Sequence, residues 1–181
     1  MPQAVAHFLI AALSAAIFRD FYLKKRNKKN FPLHYVLFAG IGGVLPDIDI
    51  LAFWVLFFFG FTIDQIHRGF THSLFFALIF LILGLAAKGI KIKELGKHKL
   101  KLDIIFYMIA FGIITHIFLD SLIISHNVRI FYPFSDFSFG LDLVLLLPQA
   151  LQGLFAPTLD AALLIIWIIY LEWKHKISDF I

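Results

Sequence analysis

The histidines and acids with metal-ligand spacing fall in four short segments of the 181-residue chain. These are His7, Gly42-Gly43-Val44-Leu45-Pro46-Asp47-Ile48-Asp49, His67-Arg68-Gly69-Phe70-Thr71-His72-Ser73 and His116-Ile117-Phe118-Leu119-Asp120-Ser121. His116 and Asp120 are an i, i+4 pair, so on a helix both leave one face and can grip one cation. A helix-end His–Asp hydrogen bond is the plainer alternative. Asp47 and Asp49 follow a proline that breaks a helix, which can turn both carboxylates into one cavity. Alternatively, Asp49 caps the apolar stretch that follows. His67 and His72 diverge by about 140° on a continuous helix. Gly69 can relieve that and bring both rings to one site, or Thr71 can cap a helix that starts at His72. Arg68 is the single cation within these motifs and requires an anionic partner, a site aspartate or a substrate phosphate. A lone membrane histidine such as His7 often does no more than bond a neighbouring carbonyl, and His126 carries less signal still. Cysteine is absent, which excludes disulfides and thiolate metal sites and leaves His, Asp and Glu as ligands.

The elements that position these residues must sit in a bilayer. The chain is 61% hydrophobic and 15% charged, with 23 Phe and a mean hydropathy of +0.89. A soluble domain is about half apolar and a quarter charged. One membrane-embedded domain over residues 1–181 is expected, all-α, with about five transmembrane helices and one or two short re-entrant or interfacial helices. Apolar stretches near residues 4–22, 31–45, 72–87, 104–122 and 157–173 are the spans. Ile50–Phe61, twelve residues, makes only about 18 Å of helix, too short to cross. Leu141–Phe155, interrupted by Pro148 and Gly153, reads similarly. The first span lacks the basic leader and small-residue cleavage site of a signal peptide and is expected to stay in the membrane.

Charge sorting supports this count. Lys24, Lys25, Arg26, Lys28 and Lys29 form one basic cluster. Lys88, Lys91, Lys93, Lys97, Lys99 and Lys101 form a second, and Lys174 with Lys176 a third. With five spans and the N-terminus outside, all three fall in the cytoplasm, as the positive-inside rule requires. Fourteen of the 16 basic residues then lie inside, and seven of the 12 acids lie outside with Arg68 and Arg129. The four polar segments all reach the acidic, extracytoplasmic end, and the C-terminus is cytoplasmic. The sorted charges make a nucleic-acid partner unexpected and leave a lipid-binding basic patch as the lesser reading. The partners expected are the bilayer of the cell membrane and an amphiphilic substrate.

The ordered motifs Gly-Gly-x-Leu-Pro-Asp-x-Asp, His-Arg-Gly-x-Thr-His-Ser and His-x-x-x-Asp-Ser resemble the membrane-bound metal-dependent hydrolase family, which includes the LexA-regulated inner-membrane, YdjM-like proteins. The resemblance runs from about His7 to Pro133. More distantly, the order His, Asp, His, His-x-x-x-Asp is similar to that of the soluble zinc phospholipase C and P1 nuclease class. The resemblance implies that Asp49 or Asp47, His72 or His67, His116 and Asp120 hold one metal, with His7 and a bridging Asp120 holding a second. The His-x-x-x-Glu that completes a third metal site in the soluble enzymes is absent, with only Asp136 and Asp142 nearby.

Histidine and carboxylate ligation suits Zn²⁺, with Mn²⁺ and Fe²⁺ as alternatives. The expected activity is hydrolysis of a phosphoester in a lipid or other amphiphilic substrate by a metal-activated water. In that scheme the non-ligating aspartate of Asp47 and Asp49 takes a proton, and Arg68 binds the phosphate. Two other readings use the same residues. A proton or divalent-metal transporter would also carry intramembrane His and Asp, but it needs polar residues at several depths. The inner halves of the spans, such as Ala11–Phe18 and Phe75–Ala87, are almost purely apolar. A membrane protein that uses metal only for folding would close its coordination sphere, whereas a catalytic site keeps a position open.

Overall fold

A computed structural model describes residues 4–23, 31–67, 69–95, 98–123 and 128–175. It is mostly helical: α1 (Ala4–Ile17), α2 (His34–Val44), α3 (Ile48–Leu56), α4 (Ile63–Ile66), α5 (Leu74–Ala86), α6 (Leu102–Ile123) and α7 (Gln149–His175). Four helical runs are long and apolar enough to cross a membrane, at Ala4–Phe21, His34–Phe59, Leu102–Ile123 and Gln149–Lys174, and Leu74–Ala86 is a shorter apolar helix. Arg68, His126 and the first basic cluster fall outside the described residues.

Side-chain contacts give the direction of each pass. The C-terminal ends of α2 and α6 meet the N-terminal part of α1 through Gly43, His116, Asp120 and His7. At the opposite end, Tyr35 in the first turn of α2 accepts the Lys101 amide just before α6. The chain leaves α2 at one end and enters α6 at the other. The 13-residue α5 must therefore traverse between them, although its length of about 20 Å is short for a full span. The helices α1, α2, α5 and α6 thus alternate in direction.

Ile50–Phe61 does not stand apart as a separate short helix: through Phe59 it continues the helical run that begins at His34. A 3₁₀ turn, Leu45–Asp47, with Pro46 at its start, joins α3 to α2, so the helical run continues further than the proline suggests. The chain then turns at Gly60, whose φ of 85° is left-handed and favours glycine. It returns through α4 to His67, which bonds to Asp49 at the start of the excursion. Leu51, Trp54, Phe58 and Phe59 on this excursion are exposed, as befits lipid- or interface-facing residues. Leu141–Phe155 is divided: Leu143–Leu146 is a 3₁₀ turn, and Gln149 already begins α7. Pro157 lies inside that helix, where it has no N–H to donate to the Gly153 carbonyl at i−4.

Small residues let the helices approach closely, the packing mode that serves where lipid supplies no hydrophobic drive. A methyl group added at Gly112 of α6 would strike the Ala39 carbonyl and the Gly43 amide of α2. One at Gly43 would lie 2.5 Å from the His7 carbonyl of α1. Below this level Ala12, Ala15, Ala16, Val36, Ala39 and Tyr170 form a buried apolar cluster. The last helix lies along α1. Asp160 accepts the Ala6 amide at 2.9 Å near one end, and Tyr170 donates to Asp20 at 2.5 Å near the other. Asp20 also takes Arg19 at 2.8 Å, within a π-helical turn, Phe18–Tyr22.

Two short strand pairs add to the helices: β1 (Lys91–Leu95) with β2 (His98–Lys101), and β3 (Val128–Arg129) with β4 (Ser138–Phe139), both antiparallel.

Candidate metal centre

Four segments distant in sequence supply one buried polar cluster. It takes His7 from α1, Asp47 and Asp49 from the α2–α3 junction, His67, Thr71 and His72 from the α4–α5 connection, and His116 and Asp120 from α6. His72 and His116 are 0% exposed, and His7, Asp49, His67 and Asp120 are also buried. Asp47 has the most open side chain of the three acids, at 18%. The imidazoles form a row: His7 stacks on His116 with centroids 4.0 Å apart, His116 lies 4.9 Å from His72, and His72 lies 5.0 Å from His67.

Hydrogen bonds fix which nitrogen of the two central rings faces the others. His116 Nδ1 is 2.7 Å from the Gly43 carbonyl. A carbonyl only accepts, so Nδ1 carries the proton and Nε2 keeps its lone pair. His72 Nδ1 lies 3.1 Å from Thr71 Oγ1 and 3.3 Å from Asp49 Oδ2. Thr71 itself donates to Asp49 Oδ2 at 2.9 Å. The proton of His72 therefore also sits on Nδ1, and its Nε2 lone pair points the other way.

Both Nε2 atoms look at the same two carboxylates. His72 Nε2 is 3.5 Å from Asp47 Oδ1 and 3.7 Å from Asp120 Oδ2, and His116 Nε2 is 3.8 Å and 3.7 Å from the same atoms. These separations are too long for hydrogen bonds. A tetrahedral ion bound at 2.0–2.1 Å holds its ligands roughly 3.3–3.4 Å apart, close to all four. The other oxygen of Asp120 is 3.2 Å from His7 Nε2, so this carboxylate faces His7 on one side and His72 with His116 on the other. Asp49 is differently engaged, with Oδ1 at 3.0 Å from His67 Nδ1 and Oδ2 on Thr71 and His72.

Four buried ring nitrogens, His7 Nδ1, His67 Nε2, His72 Nε2 and His116 Nε2, hydrogen-bond to no described residue. Buried polar atoms are normally satisfied, and several orphans in one place require an explanation. Two adjacent constellations, with no residue in common, could hold a cation: His7 with His116 and Asp120, and Asp47 with His67 and His72. The ligand atoms within each lie within 4.8 Å of one another. The residues present thus fit a metal.

All the described histidines and aspartates expected from sequence to build the site come together here. The capping alternatives do not appear. Asp49 turns its carboxylate to two histidines and Thr71 donates to Asp49, while Ser73 is the residue before α5 and its hydroxyl donates to Phe70. Sequence reasoning passed over two groups, Thr71 as a partner of Asp49 and the Gly43 carbonyl as a partner of His116. Thr71 lies beside a candidate ligand within a polar motif, which is a usable signal. A backbone carbonyl leaves none.

No curated protein and no solved structure matches the chain. The family model described as YdjM inner membrane protein matches residues 1–176, a stretch that contains every residue of the cluster, and the chain belongs to that family.

Proposed function

We propose that this chain is a membrane-embedded, metal-dependent hydrolase that cleaves a phosphoester of an amphiphilic substrate. The observation that carries this reading is the set of four nitrogen–oxygen distances of 3.5–3.8 Å among Asp47, His72, His116 and Asp120. In this reading those four would hold a divalent ion with a fifth position left for a water, and His7 with the second oxygen of Asp120 would hold another. Asp49 and the Gly43 carbonyl orient His72 and His116 through their Nδ1 atoms, the usual task of groups behind a metal ligand. A bound Zn²⁺ supplies a water of pKa near 7 and polarises a phosphoryl oxygen.

The chain's own residues supply the rest. Asp47 is the acid open to the outside and meets an incoming substrate first. Asp49 has both oxygens engaged, so the proton-accepting role falls to Oδ2 of Asp47, the oxygen outside the ligand set, rather than to a free second aspartate. Arg68, next to His67, is assigned to the substrate's anionic group. Zinc as the metal, and an extracytoplasmic position for the site, complete the proposal. The apolar α1 face below His7, with Leu9, Ala11, Ala12, Ala15 and Ala16 buried, favours hydrolysis over transport, since these residues offer a cation no next stop.

The test is metal content of the purified full-length protein together with turnover on a panel of soluble phosphoesters, phosphatidic acid and polyprenyl phosphates. Bound transition metal and chelator-sensitive phosphate release are expected. Bound metal with no hydrolysis, but with metal flux in reconstituted vesicles, would replace the enzyme with a transporter. A protein that binds no divalent metal would refute both.

A further inference from the structure

The hairpin that joins α5 to α6 alternates lysine with apolar residues, and alternation sends each set to its own face. Ile92 pairs with Leu100, and Leu100 is fully buried against Tyr35 and Ile105. The apolar face is thereby locked onto the helices. Lys91 and Lys101 are cross-strand partners on the other face, and both are exposed, as are Lys88 and Lys99. Like charges directly opposite each other destabilise a strand pair. Here the pair is held regardless, by the Lys101 amide on the Tyr35 hydroxyl at 2.7 Å and the Leu102 amide on the Ile90 carbonyl at 3.0 Å.

The position of this pair in the fold identifies its counter-charge. Lys101 is followed directly by Leu102, the first residue of α6, and Lys91 comes five residues after the end of α5. The two ammonium groups therefore stand at the base of the hairpin, at the ends of two membrane-embedded helices. Lipid phosphates occupy that depth, whereas a nucleic acid would have to displace the headgroup layer to reach it. We propose that Lys91 and Lys101, with Lys88 and Lys99 beside them, form a binding surface for the phosphate of anionic phospholipids. The lipid relieves the cross-strand repulsion and seats the hairpin on the membrane. This proposal is independent of the metal centre, which lies at the other end of the helices.

The test uses the full-length protein in a neutral detergent and follows its thermal unfolding midpoint as lipid is added. Phosphatidylglycerol should raise the midpoint and phosphatidylcholine should not, and high salt should weaken the effect. The Lys91→Gln/Lys101→Gln variant, relieved of its repulsion, should be at least as stable as the parent without lipid. It should require roughly 30-fold more phosphatidylglycerol for the same shift, the loss expected for two lysines at a membrane surface. Equal responses to the two lipids, an undiminished response in the variant, or a variant less stable in lipid-free detergent would each overturn the proposal. Displacement of phosphatidylglycerol by an oligonucleotide at equal phosphate concentration would transfer the surface to nucleic acid.

Discussion

Replacing Asp49 by Asn, in parallel with Asp47 by Asn, tests the division of labour between two acids only two residues apart. Asp49 receives three contacts, from His67 Nδ1 at 3.0 Å, Thr71 Oγ1 at 2.9 Å and His72 Nδ1 at 3.3 Å. A carboxylate accepts at both oxygens, but an amide accepts at one side and donates at the other. The Asp49→Asn change would keep the shape while turning at least one contact into a donor facing a donor, and it would remove the charge that holds the His72 proton on Nδ1. His72 would still be present, with its Nε2 less firmly aimed. Changes to groups behind a metal ligand typically cost 10–100-fold in affinity, about 1.4–2.7 kcal/mol. Asp47→Asn should cost more, because it alters an oxygen that faces both Nε2 atoms directly. Competition with a chromophoric chelator in detergent measures both constants, and a thermal unfolding scan without metal checks that both variants fold. If Asp49→Asn abolishes binding while Asp47→Asn stays within tenfold of the parent, the assignment is reversed. If neither changes the affinity, the cluster does not hold the metal.

Four further outcomes are expected. His116→Ala and Asp120→Ala should each remove most of the bound metal measured by elemental analysis, whereas His98→Ala, on the hairpin at the far end, should leave it intact. Gly112→Ala should destabilise the protein by about 1–3 kcal/mol through overpacking and lower its metal content. Gly153→Ala, where an added methyl meets nothing within 4 Å, should leave the unfolding midpoint unchanged. Arg68→Ala should keep the metal and lose roughly 10²–10³ in turnover, with little rescue by Arg68→Lys; full turnover with intact metal would remove it from the mechanism. A cysteine replacing Asp64 should react with an impermeant thiol reagent on intact cells and one replacing Lys97 should not, and the reverse pattern would invert the orientation.

Much of the site was legible because membrane depth penalises every ionisable group without a task. The four polar segments stood out against an apolar background, and i, i+4 spacing offered His116 with Asp120, whereas His7 alone carried little signal and His67 and His72 stayed alternatives. The choice between Asp47 and Asp49 was not legible. It depends on the 3₁₀ turn at Leu45–Asp47: Pro46 announces a break there, but not which neighbours each carboxylate will meet. Hydropathy anticipated the apolar helices, but the lysines of residues 88–101 obscured the alternating pattern that makes β1 and β2. The union of α1 with α7 joins residues 154 positions apart through one carboxylate and one amide, beyond the reach of any local pattern.

That union has a mechanical consequence for a helix that contributes nothing to the metal cluster. Asp160 grips the amide of Ala6, the residue immediately before His7, and Tyr170 grips Asp20 further along. Sliding α1 by a single residue would move it about 1.5 Å and turn it by roughly 100°, enough to swing His7 off Asp120. The two grips act as a pair of stops that set the pitch of α1 from outside. The aim of His7 is thus set from α7, a helix that leaves Ile165, Ile169 and Trp173 exposed.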